Sequence, residues 1–181
     1  MVINEILQFN KEFVEKEEYK AYKASKYPGK KIAILSCMDT RLTLLLPAAL
    51  GLKNGDVKII KNAGAVISHP YGSVMRSLLV CIYELGIEDI LVIGHYDCGM
   101  QNLHSDKLTK KMLEAGISQK AIDKVKSEID YEKWLSGFDC VEQSVMDAAS
   151  IIRNHPLIPE KIKVTGLIMD PDTGRLDKVE I

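Results

Sequence analysis

A chain of 181 residues with 46% apolar and 27% charged residues has the composition of an ordinary globular protein. It is long enough for one domain with a substantial core. The formal net charge of −1 gives no electrostatic reason to bind nucleic acid or an anionic membrane, and no apolar run approaches the ~20 residues of a membrane-spanning helix. The segment Met1 to Lys20 is charged and amphipathic, without the apolar stretch and small-residue cleavage site of a secretory signal, so the expected compartment is the cytoplasm. Disulfides are not expected in that reducing setting, and the cysteines at 37, 81, 98 and 140 are read instead as core residues, reactive thiols or metal ligands.

In chain order, residues 3–26 are predicted as one helix, with Ile6, Phe9, Phe13, Tyr19 and Tyr22 along an apolar side. Tyr27-Pro28-Gly29-Lys30 breaks it. Ile32 to Leu35 fits a buried strand. Leu42 to Leu50 has helical character, Val57 to Ile60 reads as a second strand, and Asn62-Ala63-Gly64-Ala65 is a turn-prone loop. Ser73 to Leu85 is a strong helix closed by Gly86, and Asp89 to Gly94 is a third buried strand. From Ser105 to Ile129 the pattern is polar and helical, broken near Gly116. Asp139 and Glu142 have the spacing of a capping box before a helix that runs to about Asn154. Lys161 to Met169 is a fourth strand, and Arg175 to Ile181 returns as an antiparallel edge strand. Strands alternating with helices predict an α/β fold: a mainly parallel central sheet of four strands plus an antiparallel edge strand, flanked by helices. The simplest organisation is one domain over residues 1–181, with residues 1–27 as an N-terminal helical arm.

Two clusters carry chemistry. Cys37-Met38-Asp39-Thr40-Arg41 follows the first strand, and His95-Tyr96-Asp97-Cys98-Gly99 follows the third. Both stand at the carboxyl ends of strands, where parallel sheets bind ligands. If the two strands are neighbours, their ends lie about 5 Å apart, and one metal ion can join the clusters. In an extended chain, Cys37, Asp39 and Arg41 project to one side. Two thiolates and an imidazole suit zinc, and three protein ligands leave a fourth position open, as catalytic zinc requires. Two thiolates also cancel the charge of the ion, so a nearby acceptor such as Asp39, kept ionised by Arg41, helps hold hydroxide there. Neither cluster is specific alone, because a free cysteine is commonly a small buried apolar residue. Their joint occurrence is far more specific.

These motifs resemble those of the β-carbonic anhydrases, which carry Cys-x-Asp-x-Arg and, some tens of residues later, His-x-x-Cys. The similarity extends over nearly the whole chain. It includes Lys61-Asn62-Ala63-Gly64, Tyr83-Glu84-Leu85-Gly86, His155-Pro156-Leu157-Ile158, Val164-Thr165-Gly166 and Asp172-Thr173-Gly174. Cys98-Gly99-Met100 is more similar to the small archaeal and bacterial branch than to the plant type. Many members have Gly-Gly where this chain has Gly99-Met100, Gly-Asn or Gly-Gly where it has Gly64-Ala65, and Arg where it has Lys61.

The resemblance implies one zinc ion per chain on Cys37, His95 and Cys98, and attack of zinc hydroxide on carbon dioxide to give bicarbonate and a proton. It implies that Asp39 orients the hydroxide, that Arg41 holds Asp39, and that Gly64 borders the substrate pocket. In some members the aspartate swings onto zinc when it loses its arginine. A homodimer or tetramer is implied as well, with the N-terminal helix lying across the partner. His69 and Tyr71 are candidates for a proton shuttle, although a histidine before Pro70 is more often a turn or surface residue. His104 and His155 read as surface residues, Cys81 and Cys140 as structural, and Trp134 as a packing anchor. Two other functions use the same ligands: hydrolysis of carbon disulfide or carbonyl sulfide, and non-catalytic sensing of zinc or redox state. The second has no use for the Asp39–Arg41 pair.

Overall fold

A computed structural model describes residues 2–180. Five strands, β1 (Ile32–Cys37), β2 (Val57–Asn62), β3 (Asp89–His95), β4 (Lys163–Met169) and β5 (Leu176–Val179), form one sheet in the order β2-β1-β3-β4-β5. The first four run parallel and β5 pairs antiparallel with β4, as the alternation of elements predicts. The helices are α1 (Val2–Glu15), α2 (Leu42–Ala49), α3 (Ser73–Leu85), α4 (Ser105–Glu114), α5 (Gln119–Glu128), α6 (Tyr131–Leu135) and α7 (Val141–Arg153).

Both faces of the central strands are covered, which is why β1 is apolar almost without alternation. On one face Ala33, Leu35, Ile90 and Val92 pack with Met75 and Leu78 of α3 and with Val145 and Ile152 of α7. On the other, Ile34, Ile93 and Met169 pack with Leu42 and Leu46 of α2, and Cys37 and Cys98 belong to this second cluster. α3 ends where Gly86 takes a left-handed φ of 68°, so its N–H turns back to the carbonyl of Cys81.

Gly94 sets how closely α7 approaches the sheet. A Cβ there would stand 2.8 Å from Val145 Cγ2 and 2.9 Å from Val141 Cγ2, and valine has no free rotamer with which to yield. Gly94→Ala is therefore expected to cost about 1–3 kcal/mol through overpacking beside His95. Urea denaturation should show it as a lower midpoint with unchanged slope. An unaltered midpoint would mean that α7 floats on the sheet.

Three local expectations fail. The helix predicted over 3–26 stops at Glu15; Glu17 takes a left-handed φ of 56° and a short 3-10 turn covers Glu18–Tyr22. The chain doubles back so that the rings of Tyr22 and Phe13 lie 6.0 Å apart. Asp139 does not cap α7. Cys140 occupies the N-cap without a side-chain cap, its Sγ donates to Glu142 Oε2 at 3.1 Å, and the Asp139 carbonyl accepts from Gln101 instead. The short helix α6 was not expected; Asp130 caps it by accepting from the Lys133 N–H. Among the described residues no helix is long and apolar enough to cross a membrane.

Candidate metal centre

Because β1 and β3 are neighbours in register, Ser36 opposite Ile93, their carboxyl ends bring Cys37 and His95 side by side. Beyond His95 the chain bends sharply at Asp97, whose φ is 52°, and returns Cys98 to the same point. The sulfurs of Cys37 and Cys98 are 3.8 Å apart. Those two sulfurs and a ring nitrogen of His95 all lie within 4.8 Å of one another, and the three residues are only 5%, 6% and 1% exposed. Tetrahedral ligands on bonds of ~2.3 Å stand about 3.8 Å apart, so the sulfur separation already suits a zinc-sized site.

The imidazole is oriented for a metal. Its Nδ1 lies 2.8 Å from the Tyr96 carbonyl, which can only accept, so Nδ1 carries the proton. Nε2 is thereby left with its lone pair, buried and without a hydrogen-bond partner. A buried polar atom without a partner is rare, and this one belongs to the group formed with the two sulfurs. The donor set and its orphaned nitrogen together fit a zinc ion.

Charge is arranged around the thiols. The Cys98 thiol hydrogen-bonds Cys37 and draws its pKa well below the usual thiol range, against the opposing effect of burial, while the Gly64 N–H donates to the same sulfur at 3.4 Å. That contact with Cys37, together with burial, pushes the Cys98 thiol up. A metal taking both sulfurs as thiolates would release whatever protons the pair retains. Lys61 Nζ donates to the Cys37 carbonyl at 3.3 Å.

Asp39 and Arg41 do pair, but not on an extended chain. β1 ends at Cys37 and the backbone turns, with the Arg41 N–H donating to Asp39 Oδ1 at 2.9 Å and the Leu42 N–H to the Asp39 carbonyl at 3.2 Å. The turn brings the guanidinium onto the carboxylate in a fork, Nε to Oδ1 at 3.1 Å and Nη2 to Oδ2 at 2.9 Å. Hydrogen bonding from Arg41 holds the Asp39 carboxyl at about 2. Asp39 Oδ2 lies 3.8 Å from His95 Nε2, at the rim of the three-donor group.

Gly64 has a φ of 81°, and a Cβ on it would meet Phe138 and Met100 at 3.1 and 3.2 Å. Asn62, Val66, Met100, Trp134 and Phe138 are among the residues that line a cavity of about 730 Å³. Trp134, read as a packing anchor, is half exposed and lines this cavity, with its ring 6.4 Å from that of Tyr131. His69 Nδ1 accepts the Tyr71 N–H, and the Tyr71 ring lies 5.7 Å from that of His155. His155 is 5% exposed, contrary to its reading as a surface residue. Cys81 is in the core as expected, whereas Cys140 is exposed. The carbonyl of Tyr96, the N–H of Gly64 and the carboxylate of Asp97 were not read from the sequence, because each acts through a backbone bend that no spacing rule encodes.

The carbonic anhydrase family model matches residues 32–176. The YtiB protein of Bacillus subtilis is 52% identical over 179 residues, covering 98% of this chain and 96% of YtiB. The crystal structure of the β-carbonic anhydrase isoform TvaCA1 from Trichomonas vaginalis superposes with a TM-score of 0.91 at 37% identity, covering 99% of this chain and 97% of that one. A carbon disulfide hydrolase of Saccharolobus solfataricus is 28% identical over 93% of this chain and 87% of its own length. The chain belongs to the β-carbonic anhydrase family, a family of lyases.

Proposed function

We propose that the protein catalyses the reversible hydration of carbon dioxide to bicarbonate and a proton, with one zinc ion held by Cys37, His95 and Cys98. The observation that carries this reading is the unpartnered, buried Nε2 of His95 grouped with two thiols 3.8 Å apart. Bound there, zinc supplies Lewis acidity that lowers the pKa of water toward ~7. Asp39, ionised at any working pH, can only accept hydrogen bonds, so it fixes the orientation of the reacting water. Arg41 fixes Asp39 in turn. The loop at Gly64 is proposed to border the substrate pocket, and no side chain fits at Gly64 because Phe138 and Met100 pack directly against it. The proton leaves to buffer by a route for which His69 and Tyr71 remain the candidates.

Self-association to a homodimer or tetramer is part of the proposal. It is supported by α1, which buries no residue and exposes Val2, Ile3, Ile6, Leu7 and Phe9. The proposed setting is the cytoplasm, in keeping with four unlinked cysteines.

The named carbon disulfide hydrolases among the relatives favour a second reading, in which the same centre hydrolyses carbon disulfide to carbon dioxide and hydrogen sulfide. One experiment separates the readings, including that of a sensor without turnover. Zinc content, stopped-flow carbon dioxide hydration and sulfide release are measured on one purified sample across pH. We expect about one zinc per chain and fast hydration without sulfide release. Zinc-loaded protein that does not exceed the buffer rate would end the hydratase reading, and sulfide release would establish the alternative.

A further inference from the structure

Arg41 is gripped from two sides. Its Nε and Nη2 face Asp39, while the opposite edge faces the ligand loop of β3: Nη1 donates to Asp97 Oδ2 at 3.0 Å and Nη2 to the Asp97 carbonyl at 3.0 Å. The guanidinium thus spends four hydrogen bonds on two residues that lie 58 positions apart in number, one in each cluster. The second grip depends on backbone shape. Asp97 has a φ of 52°, a left-handed conformation that aspartate, asparagine and glycine tolerate best, and it sits between His95 and Cys98.

We infer that Asp97 is a positioning residue: it fixes the far edge of the Arg41 guanidinium, so that the near edge is presented to Asp39 in one orientation, and it fastens the β1 loop to the β3 loop. Bidentate carboxylate recognition by arginine demands a fixed plane. A guanidinium held only at its Asp39 edge can pivot about the Arg41 stem and carry Asp39 with it. With both edges occupied it cannot pivot without breaking bonds on the other side. Asp97 does not gain its importance from stability. Its side chain is 85% exposed and that of Arg41 36% exposed, and exposed ion pairs contribute little to folding. A positioning role therefore predicts a loss of order and rate with hardly any loss of fold.

The inference rests on the proposed hydration chemistry for its kinetic arm only, and a second arm does not need turnover. The test compares Asp97→Gly, which keeps the left-handed backbone and the carbonyl but removes the carboxylate, with Asp97→Asn, which keeps a neutral acceptor. In the metal-free protein, the Arg41 Nε–H is followed by nitrogen-15 NMR as its exchange rate with water. In zinc-loaded protein, kcat/KM for hydration is measured at equal zinc content, together with the thermal midpoint. We expect Asp97→Gly to speed Arg41 Nε–H exchange by about 5-fold or more and to lower kcat/KM by a similar factor, with Asp97→Asn between it and the parent and zinc content unchanged. Arg41 exchange in a folded Asp97→Gly protein within 2-fold of the parent would overturn the inference. Faster exchange in a protein that shows no hydration at all would uphold it and count against the hydratase reading. If Asp97→Gly does not fold, the same two limits apply to Asp97→Ala, which also lacks the carboxylate.

Discussion

Replacing Cys98 by serine is expected to abolish zinc binding and, with it, hydration. Cys98 is 6% exposed, in a cluster with Ile34, Leu42, Leu46, Ile93 and Met169. A serine there is shorter than a cysteine and does not ionise at neutral pH, so two donors remain where three are needed. The loss extends to the other sulfur, because the Cys98 thiol is the largest influence drawing the Cys37 pKa down. Metal analysis should give about one zinc per chain for the parent and under roughly a tenth of that for Cys98→Ser. Thermal unfolding gives a second reading. A ligand at 1,000 times its Kd stabilises by about 4 kcal/mol, which for a chain of this size raises the melting temperature by roughly 8–16 °C. Zinc should produce that rise in the parent and none in Cys98→Ser. A full zinc complement in the variant would remove Cys98 from the ligand set.

The elements that position this centre were legible because their signals are local. β1 and β3 show as apolar runs buried on both faces, and α3 shows as a periodic stretch closed by Gly86. In the sequence the meeting of the two clusters is conditional, since no local feature of Ile32–Cys37 says that Asp89–His95 lies beside it; the parallel register of β1 and β3 supplies that fact. What stayed hidden depends on contacts between distant segments. The end of α1 goes with the contact of Tyr22 and Phe13, and the start of α7 with a carbonyl drawn toward Gln101. His155 is buried, with its Nδ1 accepting the Leu157 N–H at 3.2 Å. The same limit applies inside the site. An extended Cys37–Arg41 segment would have shown the right residues in the wrong arrangement, and only the turn at Asp39 lets the guanidinium close on the carboxylate and leave its other edge for Asp97.

Asp39→Ala should separate holding the metal from using it. Asp39 is not among the three grouped donors, so zinc content is expected to stay near one per chain while hydration falls by about 10²–10⁴-fold, the range attached to removal of a positioned proton-handling group. Folding should be affected only modestly, and in a pH-dependent way. The Asp39 carboxyl is lowered from an ordinary 3.8 to about 2, chiefly by hydrogen bonding from Arg41. A depressed carboxylate contributes stability that is fully present above the ordinary range and lost as pH falls toward 2. With its side chain 18% exposed, that contribution is on the order of 1–2 kcal/mol. The stability difference between parent and variant should therefore be constant from neutral pH down to about 5 and shrink below 4, whereas the difference in hydration should persist at every pH where zinc stays bound. Asparagine sharpens the test, since it matches the carboxylate in size but turns an NH₂ toward Arg41 or toward the water. Asp39→Asn should be nearly as slow as Asp39→Ala. Parent-like hydration in zinc-loaded Asp39→Asn would show that shape at this position suffices, and the orienting role given to the charge of Asp39 would have to be abandoned.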